Sequence, residues 1–271
     1  MENYNTNVKN IIKKWYDILQ FPTKYDVDFL NALNNYEIDS NTNIKNYDFT
    51  CEDGKKNLLS FLYMCENTYK ELIKKSVPEN IIIDTLKDIV TWTKTWSEVK
   101  KELYLGEIFW LKHHHLLEIF KIGRLQFLPS KFKQDFPEFN IKKGDNVVEI
   151  HIPEGEKLSK EVVDKSISDA KIFIKQIFPD FDYHYFSCYS WLLDEKLLNY
   201  LPKESNILSF ANRFIRIKEK PSNAILKFII SWDTTSENLN EKNPTSPFAN
   251  AIKDAFLNGE RFNETLGIMK K

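Results

Sequence analysis

The chain has 271 residues, 42% hydrophobic and 28% charged, with Lys+Arg 38 against Asp+Glu 39 and a formal net charge of −1. That length allows one large core or two smaller ones, and the balanced, dispersed charge excludes the basic footprint expected of a reader of nucleic acid or of an anionic membrane. Three cysteines, Cys51, Cys65 and Cys188, are too few and too odd in number for a disulfide framework and fit a reducing compartment.

The first 17 residues carry no basic stretch followed by an apolar run and a small-residue cleavage site, so no secretory leader is expected. No apolar stretch approaches the length of a membrane span. A cytoplasmic location is the expectation. Val8, Ile11, Ile12, Trp15, Ile18 and Leu19 recur at helical spacing, and Phe21-Pro22 ends that run. Asp39–Lys56 is polar and reads as loop. Leu58, Leu59, Leu62, Cys65, Tyr69, Leu72 and Ile73 mark a second long helix. Ser76-Val77-Pro78-Glu79 reads as a capping box with proline in the first turn, opening a third helix through Ile82, Leu86, Ile89, Val90 and Trp96. Residues 1–105 therefore read as a helical N-terminal domain.

Residues 106–271 read as a second domain. Glu107–Phe120 keeps a helical pattern, and then strand-like runs follow at Arg124–Leu128 and Val147–Ile152. Ser159 is a good N-cap for a helix bearing Val162, Val163, Ile167, Ala170, Ile174, Ile177 and Phe178, stopped by Pro179. Tyr183–Leu193 is aromatic-rich and reads as strand. Short helices are expected at Glu195–Leu201 and after Ser205. Ile215–Lys220 and Ala224–Ser231 flank Pro221-Ser222-Asn223 as a hairpin, Thr234–Asn243 is polar loop, and Ser246-Pro247 opens a last helix that ends at Asn258-Gly259.

Alternation along Val147–Ile152 puts Val148, Ile150 and Ile152 on a core face and turns Glu149 and His151 together to the other side. There they read as a general base, direct or through water, or as a solvated Glu beside a packed His. The strand then breaks at Pro153-Glu154-Gly155 and feeds a helix, a junction whose unpaired N–H groups and dipole suit an anion.

Four motifs carry a resemblance: GRLQF (123–127), HIP (151–153), CYSWLL (188–193) and SNI..F (205–210). In order and spacing, from about Glu118 to Phe214, they resemble a bacterial family of acyltransferase-domain proteins. Its members join a helical N-terminal domain to a domain like the Gcn5-related N-acetyltransferases (GNAT). The resemblance implies an α+β fold with a mixed sheet. It implies an acyl-CoA-dependent N-acyltransferase, with acetyl-CoA or another acyl-CoA as co-substrate and a small-molecule or peptide amine as acceptor. No metal, nucleic acid or membrane partner is expected. The pyrophosphate would sit on the loop after the Glu149/His151 strand, and two strands would splay to admit the pantetheine arm.

On that basis Ile152, Gly155, Lys157, Ser159, Cys188 and Asn206 are candidates for holding acyl-CoA. Arg124, Gln126 and Ser190 are candidates for the acceptor, and Glu149, His151 and Tyr189 for proton transfer, with Tyr189 as donor to the leaving thiolate. The loop Pro153–Ser159 departs from the usual Gly-x-Gly/Ala turn by offering one glycine and two acids, and Tyr189 stands where the family favours histidine. Each candidate has a plainer reading: Asn206 as part of a helix cap, Tyr189 and Cys188 as packing, Arg124 in a buried ion pair. A non-catalytic GNAT-like binding module and a hydrolase built on Cys188 are the competing functions.

His113-His114-His115 looks like a metal site, but successive helix residues project about 100° apart and do not converge on one ion. Arg213, Arg216, Lys218 and Lys220 form a basic stripe that either meets the nucleotide phosphates of CoA or is a solvated edge.

Overall fold

The computed structural model describes residues 2–271, with side chains from Thr6 onward, so Met1 lies outside it. Two compact units divide between Lys121 and Ile122.

The first unit is helical. Its elements are α1 (Glu2–Leu19), α2 (Asp26–Asn35), α3 (Gly54–Lys74), α4 (Glu79–Leu86), α5 (Asp88–Lys100) and α6 (Ile108–His115). α1 buries Val8, Ile12, Trp15 and Leu19, and α3 buries Leu58, Leu59, Phe61, Leu62, Met64, Cys65 and Leu72. Each such large apolar side chain contributes about 1.5–3 kcal/mol when fully buried. Asp53 caps α3 by accepting from the N–H groups of Lys55 and Lys56.

Two expectations change here, and one helix, α2, is added. α2 escaped notice because only Phe29, Ala32 and Leu33 are buried while Val27 and Leu30 face solvent, which blurs its period. Ser76 is not a capping residue. It takes a left-handed φ of 60°, and the N–H of Val77 reaches back to the carbonyl of Leu72, so these residues close α3 instead of opening α4. The helix expected from Pro78 to Trp96 is two helices meeting at Lys87.

The chain passes into the second unit within β1 (Phe120–Ile122), followed by β2 (Leu125–Lys131), β3 (Asn146–His151), α7 (Lys160–Ile177), β4 (Tyr185–Ser190) and α8 (Asn206–Ala211). β5 (Ile215–Pro221), α9 (Ala224–Ile229), α10 (Pro247–Leu257) and β6 (Asn263–Lys270) complete it. The sheet has six strands in the order β1-β2-β3-β4-β6-β5, with β3 and β4 parallel across α7 and the β2–β3, β4–β6 and β5–β6 pairs antiparallel. The molecule is thus α+β, a helical region followed by a mixed sheet.

No hairpin forms at Pro221-Ser222-Asn223. The hydroxyl of Ser222 accepts from the N–H of Ala224, α9 begins there, and β5 pairs instead with β6, a strand that sequence patterning did not suggest. β4 is also shorter than expected, because Ser190 accepts from the N–H of Leu192 and turns Trp191–Leu193 into a 3₁₀ turn.

Both faces of the sheet are occupied. On one, Phe127, Ile150 and Phe186 are buried, with the Phe127 and Phe186 rings 6.1 Å apart. On the other, a small core of Phe132, Phe136, Ile141, Val147 and Ile268 covers the end of β3 that begins at Asn146. Val147 is therefore core, although it shares a strand face with Glu149.

Candidate active site

Register places the site. β2 and β3 pair from Lys131↔Asn146 through Gln126↔His151, and β4 and β6 pair from Tyr185↔Lys270 through Ser190↔Thr265. Between β3 and β4 only Val148↔Phe186 and Glu149↔Ser187 are in register. Past those pairs no ladder pair joins the two strands, which leaves Ile150-His151 and Cys188–Ser190 unladdered against each other. A gap in the ladder at the C-terminal ends of parallel strands, just before a helix N-terminus, exposes backbone polar groups that a ligand can pair.

The loop beyond β3 is held open from behind. Arg124 donates through Nε to the carbonyl of Glu156 and through Nη1 to the carbonyl of Pro153 at 2.7 Å. Nε and Nη1 are therefore taken up by the loop. The N–H of Arg124 donates to Ser166 Oγ at 2.6 Å, tying the turn before β2 to α7. Gly123 is needed at that turn, since its φ is +63° and a Cβ there would lie 2.6 Å from Ser166 Oγ. Gly155 has φ +137° and open space where a Cβ would stand. Glu154, Glu156 and Lys157 are exposed. Ser159 is the extended N-cap of α7, and its side chain bonds none of the helix N–H groups; the carboxylate of Glu161, in the first turn, accepts from its own N–H and from the Ser159 hydroxyl and is held below its ordinary pKa by those bonds.

Residues directly opposite on paired strands share a face. Gln126, Glu149, His151, Ser187 and Tyr189 therefore lie on one side of the sheet. His151 Nε2 is 3.5 Å from Glu149 Oε2. Burial pushes the Glu149 carboxyl upward, but hydrogen bonds from His151 and Ser130 outweigh it and hold the group below the usual carboxylate range. Glu149 is thus an ionised proton acceptor at neutral pH. Tyr189 is 48% exposed, and partial burial with the nearby charge of Glu264 raises its phenol above the ordinary value, which keeps the proton on. Gln126 is only 2% exposed, and its Nε2 has no hydrogen-bond partner among the described residues.

The other candidates differ in what their side chains do. Cys188 is buried and raised in pKa by burial and by Glu149, so its thiol is unreactive where it stands. Ser190 is occupied as a cap. Asn206 is the first residue of α8, half-buried, while Ser205 makes the cap by accepting from Ile207 at 3.2 Å. Ile152 lies just past β3 and is half-buried. Arg213 pairs with Asp164, Arg216 with Glu195 and the carbonyl of Leu193, and Lys218 with Gln134, so those members of the basic stripe are engaged. Ser187 and Ser130 were not foreseen; counting alternate residues outward from Glu149 would have flagged Ser187 only once its strand partner was known.

In the helical unit the three histidines part company. His113 meets Glu118 at 2.6 Å, His114 meets Asp88 at 3.1 Å, and His115 Nδ1 lies 2.8 Å from Thr68 Oγ1. Among the described residues no group of three His, Cys, Asp or Glu is placed to hold a metal ion, and no helix is long and apolar enough to cross a membrane.

Comparison with known proteins bears on the fold that carries these residues. The profile of the family described as GNAT-like C-terminal domain matches residues 119–269, more than half of the chain. No match is found among curated proteins. Among solved structures, an acyltransferase in complex with decanoyl-CoA is 22% identical with a TM-score of 0.69, over 79% of this chain and 65% of that one. One in complex with decanoyl-CoA and teicoplanin is 21% identical with a TM-score of 0.70, over 79% and 66%. An acyltransferase mutant in complex with octanoyl-CoA is 17% identical with a TM-score of 0.78, over 95% and 87%. The chain thus spans just under two thirds of the first two and most of the third. At these identities the likeness establishes the fold.

Proposed function

The chain belongs to the family of proteins with a GNAT-like C-terminal domain, and on that premise we propose that it is an acyl-CoA-dependent N-acyltransferase acting on an amine acceptor. The observation that carries the reading is the short β3–β4 register, which ends at Glu149↔Ser187 and leaves unladdered backbone ahead of the N-terminus of α7. The solved relatives bound to decanoyl-CoA, octanoyl-CoA and teicoplanin support a medium-chain acyl donor and a small-molecule or peptide acceptor.

The residues present suit an acyl-CoA. The diphosphate lies at the N-terminus of α7, where it displaces the Glu161 carboxylate from its own N–H, with Gly155 giving open space and Lys157 a cation. Glu154 and Glu156 are exposed, so their charges are screened by water and do not have to face the phosphates. Arg124 sets the loop by binding its carbonyls. The pantetheine arm pairs with the β4-facing backbone of β3, with Ile152 just past that strand, Cys188 on β4 and Asn206 at the start of α8 as its candidate contacts.

Chemistry follows from the Glu149 face. The acceptor nitrogen attacks the thioester carbonyl carbon, a C–N bond forms, and the C–S bond breaks. Glu149, steadied by His151, takes the proton from nitrogen. Tyr189 gives its proton to the departing thiolate and is reprotonated by solvent. Ser190, at the end of β4, borders the acceptor side.

Calorimetric titration of CoA and octanoyl-CoA tests the reading, repeated with Gly155→Pro, whose ring forbids a φ of +137°. Micromolar binding that the variant loses supports it. No binding at millimolar ligand removes it. One observation favours a binding-only module: the loop after β3 carries two carboxylates, Glu154 and Glu156. A protein that binds octanoyl-CoA yet releases no CoA thiol in hydroxylamine decides for that module.

A further inference from the structure

Gln126 is the odd residue of the site. Its neighbours on β2, Leu125 and Phe127, are fully buried core, and Gln126 is itself 2% exposed. A carboxamide N–H left unpaired in such a place costs free energy that a leucine would not. The Nε2 of Gln126 has no partner among the described residues, and its strand position puts it directly across from His151, on the face that also carries Glu149. His151 is the last residue of β3, beyond the final pair shared with β4, so Gln126 sits beside the unladdered stretch. Arg124, two residues earlier, is tied to the 153–156 loop, whereas the Nε2 of Gln126 is a buried donor of β2 with no partner among the described residues.

We propose that the Gln126 carboxamide is a binding group whose N–H donates to a carbonyl oxygen of acyl-CoA, so that its partner arrives with the ligand. The inference rests on the acyltransferase reading and adds a side chain to it. An N–H donor selects an oxygen acceptor, and two kinds of carbonyl enter this gap: an amide of the pantetheine arm or the thioester itself. As an amide donor Gln126 contributes to affinity; as a thioester donor it meets the charge that develops on oxygen during attack.

The experiment uses the full chain with Gln126→Leu and Gln126→Glu, titrated with CoA and octanoyl-CoA, melted without ligand, and assayed for octanoyl transfer to hydroxylamine. In that assay the hydroxylamine nitrogen bonds to the carbonyl carbon, the C–S bond breaks, and CoA leaves as the thiol with the proton released from nitrogen. Because leucine removes an unpaired buried amide, Gln126→Leu should melt no lower than the parent. If the pantetheine amide is the partner, both ligands weaken about tenfold in either variant. If the thioester is the partner, affinities hold and kcat falls about 100-fold with KM unchanged.

Parental affinities together with parental kcat in Gln126→Leu overturn the proposal while leaving the acyltransferase reading intact. So does a melt several degrees lower, whatever the affinities, since the amide then has a structural partner. Should the parent bind without turnover, the titrations alone decide, and unchanged affinities overturn it. A parent that binds neither CoA nor octanoyl-CoA removes both readings at once.

Discussion

The helical unit holds the most conspicuous run of chemical side chains in the chain, His113-His114-His115, and the sheet unit holds a pair that scarcely stands out, Glu149 and His151. Folding reverses their apparent importance. On α6 the three imidazoles are rotated apart, and each finds a different neighbour: Glu118, Asp88 and Thr68. His115 is wholly buried, and burial with the adjacent His114 lowers its pKa to about 3, so it is a neutral packing residue near pH 7. On β3 the period of two returns Glu149 and His151 to one face, and the ladder to β4 ends at Glu149. Chemistry needs polar groups that converge and remain reachable, and spacing relative to the local period decides convergence.

The largest effect expected on this contrast comes from the sheet. Glu149→Gln should lower kcat for octanoyl transfer to hydroxylamine by about 100-fold or more, with octanoyl-CoA affinity within about twofold of the parent. A variant that turns over normally would break the comparison at its centre.

Next comes the helical unit, where a substitution should cost stability and spare activity. Asp88 accepts from Trp110 Nε1 at 2.9 Å and pairs with His114, both inside the unit. Asp88→Ala takes that acceptor away from buried donors and should destabilise by about 3 kcal/mol. Urea denaturation gives the loss, and kcat of the folded fraction should stay within about twofold of the parent. A tenfold fall in kcat without a stability change would give these histidines a function.

His115 sharpens the same point through pH. Its folded pKa lies below the unfolded value of about 6.5, so the unfolded chain binds more protons between the two. Its contribution to stability is therefore complete above pH 6.5 and is lost as pH falls toward 3, by at most about 1.4 kcal/mol per unit. His115→Phe should flatten that part of the dependence, measured as urea midpoints at pH 5 and pH 7. An identical pH slope in parent and variant would show that His115 is not held neutral.

Gly123→Ala should cost about 1–2 kcal/mol, from its left-handed φ and from the clash with Ser166 Oγ. Adding Ser166→Ala should recover only the clash. The smallest effect is at Cys188: iodoacetamide at neutral pH should leave it unlabelled over hours, because the thiol is buried and protonated. Rapid labelling would revive the hydrolase alternative.

Much of the architecture was legible along the chain. The apolar stripes of α1, α3 and α7, the Ser246-Pro247 start of α10, and the alternation of β3 are local patterns, and a local pattern survives without knowledge of the rest. The missed pieces depend on distant partners. β6 has a weak pattern of its own, yet it inserts between β4 and β5 and displaces the expected hairpin. Its Gly267 makes sense only beside Phe214 and Leu193, whose side chains would lie 2.7 and 2.8 Å from a Cβ there. The split at Lys87 and the left-handed Ser76 likewise follow from how helix ends close and turn, not from composition.

From the sequence alone came an α+β chain with helices first, the facing of Glu149 with His151, and the loop that feeds α7, because side-chain period and Pro/Gly chemistry act over a few residues. The tertiary structure alone decided that β3 and β4 share only two pairs, that Arg124 is bound to the loop, and that Gln126 is buried with an N–H to give. Register and burial are set by segments dozens of residues apart, and no short stretch of chain contains them.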